Sequence, residues 1–527
     1  MAFPLALSVG TSIRLNSALA IGLSAAVWLC PFWFIPTPAV PPLLWGGACL
    51  GLWLALDAFR TAPPNPAQPI RKLFWLLLAS LASMIAWRSR ELQNTLAAAL
   101  CLASIGLAAT LPAKADQRKI ARILAWSWLI AGLVNAAMGL TQYFAQTAEP
   151  LGTAFGFLRQ RNHLSTLCNI ALLSLLYLWT QRLTKPSTMR PADHFCAGIA
   201  CAVLTAALAA TCSRAGLLEL AICTVFILAY AITNRHRKLL LAVALAALFY
   251  VVWAYALPLL SGSPETIFGR IAQTSAAAEL QNSRRLLWRN TLTLIQSQPL
   301  LGVGWRELAI SLRTADFELA TRFEEQADNA HNLPLQFAAE LGVPFTALWF
   351  ALFAWLIVQS KPWQTRIPAQ RLAWGVMMVI GIHSLLEYPL WYAPFQIALG
   401  LSAGLVFLRP ISDQAPTATS VRIPIWQGLA GMTLICFCTY AAFDYHRVRQ
   451  LFIAEDERAS IYRSNTYAQA EASWLFAAQV RFAKLTTTPV TPDNAEQMRR
   501  LAHEVLHFSP EPLVLKVLLE AEQAPLK

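Results

Sequence analysis

Charge is scarce in this chain. Of its 527 residues only 13% are Asp, Glu, Lys or Arg, whereas 57% are hydrophobic and 19 are Trp. A soluble protein of this length needs far more charged surface, so that class is excluded. Cysteine is missing from every polar segment between the apolar runs. The ten that exist (Cys30, Cys49, Cys101, Cys168, Cys196, Cys201, Cys212, Cys223, Cys436 and Cys438) lie in or at the edge of apolar runs. Neither a disulfide framework nor a thiolate metal site is indicated, and each reads as a small buried hydrophobe. H-E-x-x-H, internal repeats and low-complexity tracts are absent as well.

What the chain has instead is a series of apolar stretches, each long enough or nearly so to cross a hydrocarbon core of roughly 30 Å. Thirteen follow one another: Leu15–Phe34, Leu43–Phe59, Leu73–Trp87, Leu96–Leu111, Ile120–Phe144, Leu164–Trp179, Phe195–Thr211, Leu217–Ile232, Leu239–Leu257, Leu341–Val358, Leu372–Leu386, Phe395–Leu408 and Ile425–Phe443. The expected fold is all-α, a polytopic membrane protein of about 13 transmembrane helices. The first stretch has no A-x-A-like cleavage site and reads as a retained span. The organisation expected is an N-terminal block of nine helices over 1–256, a long loop over 257–332, four helices over 333–443 and a helical tail over 444–527.

Short inside loops keep Lys and Arg, and translocated ones shed them. The N-terminus and the even-numbered loops hold Arg14, Arg60, Arg71, Lys72, Lys114, Arg118, Lys119, Arg122, Arg182, Lys185, Arg190, Arg235, Arg237, Lys238, Lys361, Arg366, Arg371, Arg409 and Arg422. The short odd-numbered loops hold only Arg88, Arg90, Arg159, Arg161 and Arg214. The N-terminus is therefore expected inside, with the C-terminus, long loop and tail outside. The net charge of +13 belongs to the inside loops, reports topology and gives no sign of nucleic-acid binding.

The long loop carries "ELQNSRRLLWRNTLTLIQSQPLLGVGW", apolar at helical spacing and closed by a turn signal; a loop of this length with its own pattern is expected to be functional. In the tail, "YAQAEASWLFAAQVRFAKL" and "NAEQMRRLAHEVLHF" read as two amphipathic helices, with Thr491 or Asp493 as the N-cap of the second. Such a hairpin is a docking or packing element with nothing catalytic in it.

The unusual polar residues share the outer side: Arg159, Gln160, Arg161, Asn162 and His163 in "GFLRQRNHLSTL", Arg214 in "TCSRAG", Arg284, Arg285 and Arg289 in "SRRLLWRN", His331 and Asn332 in "DNAHN", and Glu387, Tyr388 and Tyr392 in "LLEYPLWY". A lone outer Arg most simply snorkels or pairs with a carboxylate. Several clusters on one face suit a diphosphate, which guanidinium groups grip bidentately. His331 read alone is a structural histidine at a helix start; beside an anion site, a mostly neutral imidazole can take a proton from a hydroxyl. Asp328 and Glu325 stand at metal-ligand spacing from it, but the outside loops have no D-x-D and the stretch reads equally as a solvated acidic run. Glu219 and Glu340, costly in a bilayer, are expected to face the protein interior.

These motifs carry a resemblance. "RQRNHLSTL", "SRAGLL", "RRLLWRNTL" with "PLLGVG", "AHNLPLQFAAELG" and "EYPLWY" look like the ordered motifs of the O-antigen ligase and polymerase superfamily, and most like its PglL-type bacterial protein O-oligosaccharyltransferases. The similarity runs from about Arg159 to Trp391, and the tail resembles the extra C-terminal region of that subfamily. The resemblance implies a GT-C type glycosyltransferase of the inner membrane that takes a glycan from undecaprenyl diphosphate in the periplasm, without metal or other cofactor, and passes it to Ser or Thr of a periplasmic protein such as a pilin. The family's essential histidine falls on His331, its glutamine on Gln160 and its tyrosine on Tyr388. Arg214 and Arg285, helped by Arg161, are expected to hold the diphosphate. Gln160, Asn162, His163, Asn332, Glu387 and Tyr388 are expected to position the first sugar or the acceptor. Acceptors of other types, a lipid A core sugar or a growing glycan, would make the protein a ligase or a polymerase. An anion transporter is the alternative from another class and predicts paired charges at the bilayer midplane.

Overall fold

The computed structural model describes residues 9–57, 69–112, 116–146, 153–183, 190–233, 237–263, 266–276, 283–317, 323, 327–408 and 425–524. Glu325 and six basic residues counted on the inner loops (Arg60, Lys114, Lys185, Arg235, Arg409, Arg422) lie outside them. Within the described residues every regular element is helical, and the sole extended pairing is an isolated bridge between Ser89 and Trp305.

Each of the thirteen apolar stretches coincides with a helix: α1 (Val9–Ala26), α2 (Val40–Asp57), α3 (Pro69–Arg88), α4 (Leu92–Thr110), α5 (Gln117–Ala145), α6 (Arg161–Leu183), α7 (Pro191–Ala210), α8 (Arg214–Thr233) and α9 (Arg237–Ser261), then, after four shorter helices, α14 (Val343–Ser360), α15 (Pro368–Ser384), α16 (Ala393–Phe407) and α17 (Ile425–Arg449). Ten of them are long and apolar enough to cross a membrane by length and composition, namely α2 to α9, α14 and α17. Two are shorter. α15 and α16 have 17 and 15 residues, with Pro389 in the short turn between them and Pro394 in the first turn of α16, where its missing N–H has no helical acceptor to lose.

Helices α5 and α6, α2 and α17, α4 and α16, and α7 and α9 pack as pairs. At one end of the bundle α5, α7, α9 and α15 finish while α6, α8 and α16 begin, and the long loop and the tail both gather there. The loop contributes α10 (Ile267–Ala276), α11 (Ser283–Ser297), α12 (Leu308–Thr314) and α13 (Leu333–Leu341). The expected helical pattern around "SRRLLWRN" is α11. The "PLLGVG" turn then clamps the C-terminal end of α13. Val343 and Val303 donate backbone N–H groups to Pro299 O (2.8 Å) and Ala339 O (2.8 Å). Gly302 and Gly342 have φ of +68° and +86°, and a Cβ on Gly342 would stand 2.1 Å from Leu300 O. No other residue combines that backbone conformation with that approach.

The arginines of the short odd-numbered loops that lie outside the candidate site have structural partners. Arg88 donates to Gly302 O (2.9 Å) and accepts from Trp305 N at its own carbonyl (3.1 Å). Arg90 reaches Glu307, and Arg159 lies over the Trp33 ring at 4.7 Å.

The tail forms α18 (Ser460–Arg463), α19 (Thr466–Glu471), α20 (Ala477–Thr487), α21 (Ala495–Phe508) and α22 (Pro512–Gln523). The first of the two expected helices is split. Ser473 leaves the helical path, takes the Phe476 N–H (3.1 Å) and donates to Asp444 of α17 (2.7 Å), which pins the break to the bundle. The N-cap position of the second is Asn494, not Thr491 or Asp493, and the side-chain Oδ1 of Asn494 accepts from Thr491 N (2.8 Å). The module packs on the bundle as expected: Arg481 donates both ways to Glu91 (3.1 Å each), His507 pairs with Glu307 (2.6 Å), and Ile310 of α12 enters its core.

Glu219 and Glu340 are both fully buried, as expected. Burial pushes the Glu340 carboxyl up to about 7 against the pull of Arg306. Because the folded pKa lies above that of the unfolded chain, the unfolded state releases its proton first, and stability falls as pH rises from the ordinary carboxylate range toward 7. Glu340→Gln removes that titration. Thermal melts of the variant should therefore run above wild type at pH 8, by up to about 3 kcal/mol, and converge with it near pH 4.5.

Candidate active site

Five segments that are far apart in sequence meet at the end of the bundle where the loop gathers. Their hub is Glu387, between α15 and α16, whose side chain is 3% exposed. Its carboxylate accepts from Asn162 Nδ2 (2.8 Å), from Arg284 of α11 and from Nδ1 of His331 (2.6 Å). Burial opposes its ionisation most strongly, yet the hydrogen bond from His331 and the Arg284 guanidinium hold its carboxyl below the usual range. Glu387 is therefore a carboxylate at neutral pH and an acceptor only.

That partner fixes the histidine tautomer. With Nδ1–H donated to Glu387, Nε2 of His331 carries the lone pair, and the side chain is 27% exposed, open enough to receive a hydroxyl. The backbone of "DNAHN" is held on all sides. Asn329 Oδ1 accepts the His331 N–H (3.0 Å), Gln336 Oε1 accepts the Ala330 N–H (2.6 Å), and Trp288 Nε1 of α11 donates to Ala330 O (2.8 Å). His331 itself has φ of +49°, a left-handed conformation that a non-glycine residue keeps only where its surroundings impose it.

Tyr388 stands edge-on to the His331 ring at 5.2 Å. Burial, then Tyr392 and Asp328, push its phenol up, so it stays a neutral hydroxyl; Tyr392 is pushed up to about 12 by burial and Asp328. Arg306, with φ of +67°, lies over Trp391 at 4.2 Å and pairs with Asp328 at 3.5 Å. It thereby ties "PLLGVGWR" to both "EYPLWY" and "DNAHN".

Around Arg214 stand Arg270 and Arg284, neither of which the sequence assigned to the diphosphate. Arg270 of α10 donates to Cys212 O (2.9 Å), and Arg270 and Arg284 are both within electrostatic range of Arg214 at the start of α8. Of the pair on α11, Arg284 turns toward Glu387, whereas Arg285 is exposed at the next position. Arg161 opens α6 beside Asn162. Gln160 has a buried Oε1 without a hydrogen-bond partner among the described residues, an acceptor suited to a sugar hydroxyl.

Two residues expected to touch substrate do other work. His163 is fully buried and lies against Tyr392 (4.3 Å) and Phe395 (5.1 Å), beneath the opening; from α6 it points into the bundle because Arg161 and Asn162 occupy the outer face of that first turn. Asn332 caps α13 through Leu335 N (3.0 Å) and donates to Leu385 O (3.1 Å), so both ends of its amide are engaged. Arg270, Arg306 and His383 are functional candidates that the sequence reading did not single out. His383 is fully buried within hydrogen-bond reach of Thr166.

From this site an apolar cleft of about 2250 Å³ runs down the bundle. Leu333, Leu385, Leu390 and Trp391 line it beside the site, then Phe74, Phe353 and Phe226 along the helices, and no Asp or Glu lines it among the described residues. Those residues hold no group of three or more His, Cys, Asp or Glu that could bind a metal ion.

Three family descriptions match consecutive parts of the chain. Protein glycosylation ligase matches residues 154–179, O-Antigen ligase 199–350, and Virulence factor membrane-bound polymerase, C-terminal, 371–525. His331, Gln160, Arg214, Arg284 and Glu387 all fall inside these stretches. A General O-oligosaccharyltransferase of Acinetobacter baylyi (strain ATCC 33305 / BD413 / ADP1) is 25% identical over 250 residues, which cover 44% of this chain and 40% of that relative.

Proposed function

Given that the chain belongs to the O-antigen ligase and polymerase superfamily, with its PglL-type protein O-oligosaccharyltransferases, we propose that it transfers a glycan en bloc from undecaprenyl diphosphate to Ser or Thr hydroxyls of periplasmic proteins such as pilins. The site end of the bundle is then the periplasmic end, in the inner membrane. The observation that carries this reading is the His331–Glu387 pair, set beside three arginines and next to an apolar cleft that Leu333 and Leu385 line. A base poised for a hydroxyl, an anion site and a place for a lipid chain are the three requirements of transfer from a lipid diphosphate.

In this mechanism the polyprenyl chain occupies the cleft, and Arg214, Arg270 and Arg284, with Arg161 and Arg285 at the edge, face the diphosphate. The acceptor hydroxyl gives its proton to Nε2 of His331 as its oxygen bonds to the anomeric carbon. The bond from that carbon to the diphosphate oxygen breaks in the same step, the electron pair leaves with the phosphate, and configuration inverts. Well-placed donors to the developing charge contribute a few kcal/mol each. Glu387 stabilises the imidazolium that forms. Gln160 and Tyr388 supply an acceptor and a donor for sugar hydroxyls. No step in this scheme is routed through a metal.

The test is mass spectrometry of periplasmic proteins from cells with and without the gene. Loss of a glycan from Ser or Thr peptides is the expected result. An unchanged set of glycoproteins with altered lipopolysaccharide would instead make the protein a ligase acting on lipid A core, the second reading, which the O-Antigen ligase match over 199–350 favours.

A further inference from the structure

Below the site lies a second polar cluster that the mechanism above does not use. Its four side chains, Thr166 and Asn169 of α6, Glu219 of α8 and His383 of α15, are all buried. Thr166 Oγ1 is 2.8 Å from Glu219 Oε1 and 2.5 Å from His383 Nδ1, and Asn169 Nδ2 donates to Glu219 Oε2 at 3.0 Å. His383 Nδ1 stands 3.7 Å from Glu219 Oε1. An ionised carboxylate in a bilayer interior without a cation costs several kcal/mol. His383 is its one ion-pair partner among the described residues. Thr166 Oγ1 thus bridges the carboxyl group and the imidazole.

This cluster sits directly behind Glu387. The Glu387 N–H donates to His383 O at 2.8 Å, in the last turn of α15. Asn162, one helical turn before Thr166 on α6, holds the Glu387 carboxylate at 2.8 Å, and Ser213 Oγ donates to Asn162 Oδ1 at 2.7 Å. Glu387 thus hangs between two attachments to the same helix. One is direct, through Asn162; the other runs through its own backbone, His383 and Thr166.

We propose that His383 is a positioning residue, locked to Glu219 through Thr166, which fixes the end of α15 on α6 and so sets the Glu387 carboxylate that orients His331. A shift of about 1 Å at an orienting group is enough to cost about 10²-fold in rate. This inference rests on the reading of His331 as the base.

The experiment is a double-mutant cycle on glycan transfer by the purified full-length enzyme with a lipid-linked donor. His383→Leu, similar in bulk but without ring nitrogens, should lower kcat about 10- to 100-fold with donor KM within about threefold. His383→Asn keeps a polar atom near the Nδ1 position and should recover most of that loss. In the Glu387→Gln background His383→Leu should cost less than about threefold more, since it acts through Glu387. Thr166→Val, nearly isosteric, supplies the same cycle should His383→Leu not accumulate as folded protein. Multiplying losses, or wild-type kcat in folded His383→Leu, would overturn the proposal and leave the base assignment standing. A wild-type enzyme that transfers no glycan to any acceptor removes the function reading and this inference with it.

Discussion

His331→Ala is expected to lower glycan transfer in vitro about 10²- to 10⁴-fold, the usual contribution of a positioned general base, with donor KM close to that of wild type. The imidazole is the one group at the opening with both an exposed edge and a fixed tautomer. Folding should survive, because the segment is held by Asn329, Gln336 and Trp288 through backbone groups that alanine retains. The left-handed backbone at position 331 is less favourable for alanine than for histidine, a cost that the melting temperature reports separately from the rate. The check is transfer from lipid-linked donor by the purified variant, compared with its melting temperature. Full activity in a folded His331→Ala protein would eliminate the base assignment, and with it the reason for Glu387 to be ionised and buried.

The thirteen apolar stretches were legible because hydrocarbon thickness imposes a length that composition alone reveals. The grouping of polar motifs on one side was legible too, since the distribution of Lys and Arg orders the loops before any contact is known. What composition and spacing alone left open was which of two neighbours does the work. Arg284 and Arg285 are indistinguishable in "SRRLLW", and the 100° turn between adjacent helical positions sends one to Glu387 and leaves the other exposed. His163 stood out in the sequence beside Asn162, but the same rotation buries it under Tyr392. His383 gave the opposite error: in "GIHSLL" it is a single histidine in an apolar run, and its value comes from Glu219 and Thr166, 164 and 217 positions away.

The other large effect belongs to Glu387→Gln, which lowers kcat without raising donor KM. The variant keeps the shape of the side chain, but an amide presents an acceptor on one side and a donor on the other. In the native enzyme His331, Asn162 and Arg284 all donate to this group, so an amide must turn its NH₂ against at least one of them. If that is His331, the ring tautomer is no longer fixed; in either orientation the imidazolium loses its counter-charge. Triads in which the orienting carboxylate is replaced by its amide lose about 10⁴ in kcat, and a loss of about 10² to 10⁴ is expected here. Arg284 meanwhile loses its carboxylate partner, and its charge becomes available to the diphosphate beside Arg214 and Arg270. Donor KM should therefore stay level or fall while kcat collapses. Arg284→Gln should do the reverse to binding and raise donor KM. Steady-state kinetics of the two variants over a range of donor concentrations separates the roles: parallel rises in KM would mean that Glu387 holds substrate, as its sequence context suggested, and does not orient the base.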